Sequence, residues 1–179
     1  MTNMRLFRQM GVAVLLVGFA SAQDIQYNFD RQTDFSRFHS YKWIDIPGGQ
    51  QIDYLLARDI REVFEAALGK EGLTKTESDN ADLHIGYQVA VNQEKQLVGT
   101  GWGYGPGWRR GPGLATASTE TILIGSLALD MYDVSRKQLV WRGIATKTID
   151  TKASPETRRK NIGKAAEKML KKYPPGKTS

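Results

Sequence analysis

Cysteine is absent from the 179 residues, and that absence removes several chemistries together. No disulfide framework, thiolate nucleophile, cysteine-ligated zinc or iron–sulfur cluster can form, and no lipid can be attached through a cysteine. Histidine is scarce as well. His39 and His84 are the only two and stand at no ligand spacing, so no metal site is expected. Catalytic patterns are missing in the same way. There is no G-x-S-x-G elbow, and Asp130 and Asp133, three apart on one expected strand, point to opposite faces and cannot act as a pair on one substrate atom. The expectation is a protein that is not an enzyme and holds no cofactor. Long apolar runs are also lacking. The one run, Met10 to Phe19, is about half of the roughly 20 residues a membrane-spanning helix needs.

That short run has a different meaning from its flanks. Arg5 and Arg8 precede it and the small residues Ala20-Ser21-Ala22 follow, which is the arrangement of a cleaved secretory signal over residues 1–22. The mature chain is then expected to start at Gln23, to reside in the periplasm or outside the cell, and to hold no transmembrane helix. Its 157 residues suit one domain with a real core. Charge is unevenly placed along it. Lys152 to Ser179 carries nine Lys or Arg against Glu156 and Glu167, a net of +7. The whole chain is +6 and loses Arg5 and Arg8, so +4 remains and residues 23–151 carry −3. One basic end on a mildly acidic body suits local attraction to an anionic partner. The pI of about 9.5 would admit nucleic acid, but export conflicts with it, and no nucleic acid is expected.

Periodicity supplies the architecture. Ile25, Tyr27 and Phe29 alternate as a half-buried strand does, and HSYKWIDI over His39 to Ile46 predicts a second strand closed by Pro47-Gly48-Gly49. The period then changes. Ile52, Leu55, Leu56, Ile60, Val63, Phe64, Ala67 and Leu68 form one helical face, with Gly69 and Gly72 as its exit. A short strand over Leu73 to Glu77 follows, then a long alternation from Ala81 to Asn92. Ser118 to Ile124, Ser126 to Val134 and Gln138 to Ile149 predict three more strands. Ser154-Pro155-Glu156 starts a second helix, striped by Ile162, Ala165, Ala166, Met169, Leu170 and Tyr173 and stopped by Pro174-Pro175. The fold class is α+β: a mixed or mainly antiparallel sheet with two amphipathic helices on one face, a two-layer sandwich over 23–175 with a tail at 176–179. Tyr41, Trp43 and Trp141 are expected in the core. Arg142, facing away from Trp141, has Asp130 or Asp45 as its candidate partner.

Two segments could carry binding. In GTGWGYGPGWRRGPG, Gly99 to Gly113, every second residue up to Gly107 is glycine, so an extended backbone gathers Trp102, Tyr104 and Trp108 on one side, beside Arg109 and Arg110. Such aromatics can stack on sugar rings, sit at headgroup level or grip a partner; the plainer alternative is a glycine-rich loop whose aromatics rest on the sheet. The last helix carries Arg158, Arg159, Lys164, Lys168, Lys171 and Lys172, an anionic-surface contact or simply a solvated outer face.

Four blocks in order, YNFDRQTDFSRFHSYKWID, ADLHIGYQV, LALDMYDVSRKQLVWRGIA and AAEKMLKKYPP, resemble the bacterial envelope family called domain of unknown function 4136. The resemblance spans most of Tyr27 to Pro175. It implies an α/β envelope domain without assigned catalysis, often lipid-anchored through a lipobox cysteine. Here that junction reads Ala20-Ser21-Ala22-Gln23, so any outer-membrane association is expected to be peripheral, through a partner, the basic helix or the aromatic segment. The function expected is a non-enzymatic binding or structural domain that contacts another envelope component: a protein, cell-wall glycan or anionic lipid. The competing expectation is a small hydrolase or a lipid- or ligand-carrying protein with a pocket between sheet and helices.

Overall fold

Leu83 and Ile85 lead the longest alternation in the chain, and each is wholly buried, which places the core on their face of the sheet. The computed structural model describes residues 23–48, 50–99 and 117–176. Within them run β1 (Asp24–Phe29), a 3-10 turn (Phe35–Arg37), β2 (Ser40–Trp43), α1 (Tyr54–Lys70), β3 (Thr74–Lys75), β4 (Leu83–Gly99), β5 (Ala117–Asp133), β6 (Gln138–Thr148) and α2 (Pro155–Leu170). The six strands form one open sheet in the order β1-β6-β5-β4-β2-β3. β2 pairs in parallel with β3 and β4, and the other neighbours are antiparallel. The α+β, mixed-sheet expectation is met.

Both helices cover the face that carries Leu129, Met131, Trp141 and Ala145. Local chemistry sets their ends. Asp53 accepts the Leu55 and Leu56 N–H groups at the start of α1, and Ser154 accepts that of Thr157 ahead of Pro155 in α2. α1 ends at Gly72, whose φ of 85° lets the Leu73 N–H return to the Leu68 carbonyl at 3.1 Å. Gly69 lies inside the helix, so only the second of the two expected exit glycines acts as one. Arg159 of α2 binds Asp59 at 2.6 Å and Glu62 at 2.8 Å, and Lys70 of α1 binds Glu167 at 2.8 Å. These pairs fix the two helices side by side, running in the same direction.

The expected boundary between two strands at Gly125 is absent: residues 117–133 are continuous. β4 supplies a partner to every residue of β5, and Ile149 packs over Gly125 so closely that an added Cβ would meet its Cδ1 at 2.9 Å. Glycine there makes room for a neighbour and breaks nothing. β4 likewise runs on to Gly99, beyond the expected end at Asn92. β6 leaves β5 at Ile124, so Gln93–Gly99 and Ala117–Leu123 continue as a two-stranded arm. The strand expected from His39 to Ile46 is regular only over Ser40–Trp43, although the Ile44 N–H still reaches the Ile85 carbonyl at 2.8 Å.

Tyr41 and Trp141 are fully buried, and Trp43 packs on the core while its Nε1 donates to Glu65 of α1 at 2.9 Å. The closing residues join the same core. Tyr173 meets Phe35 and Trp141 edge to face, with centroids 5.8 and 6.0 Å apart.

Candidate functional site

On the sheet's outer face Arg142 grips the buried Asp130 with both arms of its fork, Nε to Oδ1 at 2.5 Å and Nη2 to Oδ2 at 2.6 Å. Register selects this partner, because Asp130 lies directly opposite Arg142, whereas Asp45 binds Arg61 at 2.9 Å. The hydrogen bonds that it donates to Asp130 hold the Arg142 guanidinium above its ordinary pKa against the opposing effect of burial. This pair is a structural tie.

A polar cleft of about 410 Å³ lies at the β2 end of the sheet, lined by Arg37, Asp82, Asp133 and Ser135. Its groups already satisfy one another. Asp82 accepts the His39 and Ser40 N–H groups and the Ser40 hydroxyl at 2.8 to 2.9 Å. Asp133, 1% exposed, accepts the Ser135 hydroxyl at 2.7 Å and N–H at 2.9 Å, the Arg136 N–H at 3.2 Å, and pairs with Arg37. Burial pushes both carboxyls up, but these hydrogen bonds and, for Asp133, the Arg37 charge together hold them below the ordinary carboxylate range. A depressed folded-state pKa contributes stability above the unfolded value of about 3.9, and that stability is lost as pH falls through the folded value. Asp133→Asn should therefore cost about 1 to 3 kcal/mol at pH 7, because the amide keeps one acceptor oxygen for Ser135 and Arg136 but sets an NH2 group and no charge against the Arg37 guanidinium. Urea titrations at pH 7 and pH 3 should show the two proteins converging at the lower pH; divergence there would refute the assignment.

Volume alone does not choose a site. The smaller cleft, about 260 Å³, lies between the N-terminal halves of α1 and α2 and the sheet beneath them. Leu56 and Ile60 come from α1, Ile162 and Ala165 from α2, and Val89, Val91, Leu127, Ala145 and Ile149 from the sheet and its exit. Alternation places the strand residues on the helix-facing side, and the small Ala145, Ala153 and Ala165 leave the space that longer side chains would fill. Val91, 40% exposed, sits at its opening. The polar residues of the lining are Gln23, Ser126, Lys147, Thr148, Asp150, Arg158 and Asn161. Gln23 Nε2 donates to the Asn161 carbonyl at 2.9 Å, and Lys147 Nζ stands 3.4 Å from Asn161 Oδ1. An apolar concavity with a few polar groups at its rim is the usual form of a binding site.

Of the binding residues expected from sequence, Arg158 alone among those described lines this cleft. Arg159 is drawn into the interhelical ion pairs, while Lys164, Lys168, Lys171 and Lys172 are exposed on α2 and after it. Trp102, Tyr104, Trp108, Arg109 and Arg110 lie outside the described residues. Sequence reasoning missed Val91, Lys147 and Asn161. The available signal was the alanine at 145 and 165, each on an apolar face that also carries larger side chains. Among the described residues no helix is long and apolar enough to cross a membrane.

A two-layer α+β domain with an open sheet, helices on one face and an apolar cleft at their N-terminal ends is the class of protein these features define. The chain belongs to the family described as Domain of unknown function (DUF4136), which matches residues 25–175. Among curated proteins none matches the chain. Among solved structures, a PDZ domain protein from Parabacteroides distasonis is similar at a TM-score of 0.55 and 14% identity, covering 88% of this chain. This chain spans only 38% of that protein. A PelC dodecamer from Paraburkholderia phytofirmans is similar at a TM-score of 0.50 and 12% identity, over 83% of this chain and 95% of that one. At these identities the likeness is one of fold.

Proposed function

We propose that the chain is an exported, non-enzymatic binding domain of the bacterial cell envelope, and that the apolar cleft is where it holds another envelope component. The observation that carries this reading is the cleft itself: aliphatic walls left open between two helices that are otherwise packed onto a filled core. Burial of those walls by a partner would supply favourable free energy of roughly 25 cal/mol for each Å² covered. Arg5, Arg8 and Ala20-Ser21-Ala22 support export. The exposed Lys164, Lys168, Lys171 and Lys172 add a salt-sensitive attraction to anionic surfaces.

The test is co-sedimentation with anionic vesicles, neutral vesicles and purified cell-wall sacculi, at low and high salt. Retention by at least one of them is expected. Val91→Arg, at a half-open position of the cleft, should cut retention at least about fivefold while shifting stability by no more than about 0.5 kcal/mol, as surface changes usually do. Failure of every fraction to retain the wild type would overturn the reading. Retention that survives Val91→Arg but is lost when Trp102, Tyr104 and Trp108 become serine would move the contact to the glycine-rich segment.

A further inference from the structure

The cleft's rim narrows the chemistry of what it holds. Two cations and one carboxylate stand in its lining: Arg158, Lys147 and Asp150, for a net formal charge of +1. Arg158 is exposed; its charge acts on the neighbouring Glu156, but among the described residues it makes no salt bridge within 4 Å. Lys147 has only the long 3.4 Å contact to Asn161 Oδ1, so two of its three donors remain for a ligand. Asp150 is turned to its own loop, where Oδ1 accepts the Lys152 N–H at 2.9 Å. The rim thus matches a single negative charge, and a guanidinium fork suits a carboxylate. Beneath it the walls are mainly aliphatic; Ser126 and Thr148 stand among them, and the Ser126 hydroxyl is already bonded to that of Thr146 at 3.3 Å.

Size bounds the tail. At about 260 Å³ the space exceeds the roughly 150 Å³ cavity that admits benzene. It falls just short of the about 300 to 1,000 Å³ typical of sites that enclose drug-sized ligands. A single alkyl chain fits such a space.

We propose that the cleft binds a single-chain amphiphile with a carboxylate head, a fatty acid of medium length. Its tail lies on Leu56, Ile60, Val89 and Leu127, and its head lies between Arg158 and Lys147. This rests on the reading of the cleft as the binding site and names its ligand class.

Isothermal titration of the full chain with sodium decanoate, and separately with 1-decanol, tests it. Decanoate should bind with a negative heat-capacity change, and decanol at least about fivefold more weakly, since it lacks the charge. Arg158→Glu and Lys147→Glu should each lower decanoate affinity about five- to tenfold and leave decanol unchanged, which corresponds to roughly 1 kcal/mol for each rim charge. Both side chains lie at the rim, and unchanged urea midpoints would show that the variants are folded. Val91→Arg should abolish binding of both probes. Equal affinity for the two probes, or indifference to Arg158→Glu, would overturn the carboxylate assignment. No heat from either probe would overturn the proposal, while retention on vesicles or sacculi would leave the envelope-binding reading standing. A concentration-dependent dimer lost in Val91→Arg, with no decanoate heat, would assign the cleft to a second copy of the chain and overturn the proposal as well.

Discussion

Trp141→Ala should lower the free energy of unfolding by about 3 to 5 kcal/mol, the range for emptying a buried tryptophan site. The side chain is fully buried, its residue lies opposite Met131 on one side and Phe29 on the other, and its ring meets Tyr173 edge to face. Few neighbours can collapse into the space. Phe29 and Met131 are held in strand register, and Tyr173 is anchored against Phe35. Against a total stability of about 5 to 15 kcal/mol, the loss would leave a measurable unfolded population at moderate urea. The indole Nε1 has no hydrogen-bond partner, so the effect is one of packing, and Trp141→Phe should cost less than half as much. Urea denaturation of the three proteins decides this. A change below about 1 kcal/mol for the alanine variant would show that the surrounding side chains close the gap. Ala145, four residues on along the same face, forms part of the cleft floor, so ligand binding should weaken along with stability.

Gly143→Ala is the second large effect, and its sign runs against strand propensity. Alanine in a strand ordinarily gains about 0.5 to 1 kcal/mol over glycine. At position 143 the new Cβ would stand 2.4 Å from Cη2 and 3.0 Å from Cζ3 of Trp141, and 3.2 Å from Sδ of Met169. The rigid indole lies across the glycine and cannot rotate away without abandoning Tyr173. Overpacking of this kind costs about 1 to 3 kcal/mol, so the net result should be destabilising by about 1 to 2 kcal/mol. The cause can be isolated by a double-mutant cycle. In a Trp141→Leu background the obstructing ring is gone, and Gly143→Ala should become neutral or favourable, which gives a coupling of at least about 1 kcal/mol. Strict additivity would mean that the ring is not what excludes the methyl group.

The same two residues show how far the sequence could be followed. Trp141 and Gly143 stand two apart, so a period of two places both on one face, and the large aromatic reads as core. That its ring folds back over the glycine beside it on that face depends on Tyr173 arriving from the end of α2, more than thirty residues later. Gly125 and Gly86 teach the same lesson. Gly125 reads as a break between strands and Gly86 as one residue of a long alternation, yet each lies beneath an isoleucine, Ile149 and Ile46, brought from another part of the chain. The boundary expected at Gly125 failed for that reason. The Ser135 and Arg136 N–H groups that Asp133 accepts are its sequence neighbours, a local arrangement that a strand end can show in sequence. The pairing of Asp133 with Arg37, 96 positions away, has no such local signal.

By itself the amino-acid sequence determined the α+β class, the alternating strands, the capped start of α2, the choice of core aromatics and the family resemblance. These follow from interactions within a few residues: the pleat alternates at period two, the helix repeats at 3.6, and caps and turns close over two to four residues. Only the tertiary structure decided the strand order, the selection of Asp130 over Asp45 by Arg142, the diversion of Arg159 into the interhelical ion pairs, and the cleft. The cleft is a space between three segments that meet only when α1, α2 and the sheet pack, and its volume is set by how imperfectly their side chains interlock there. No local pattern encodes a void, because a void is a property of the distances between elements far apart in the chain.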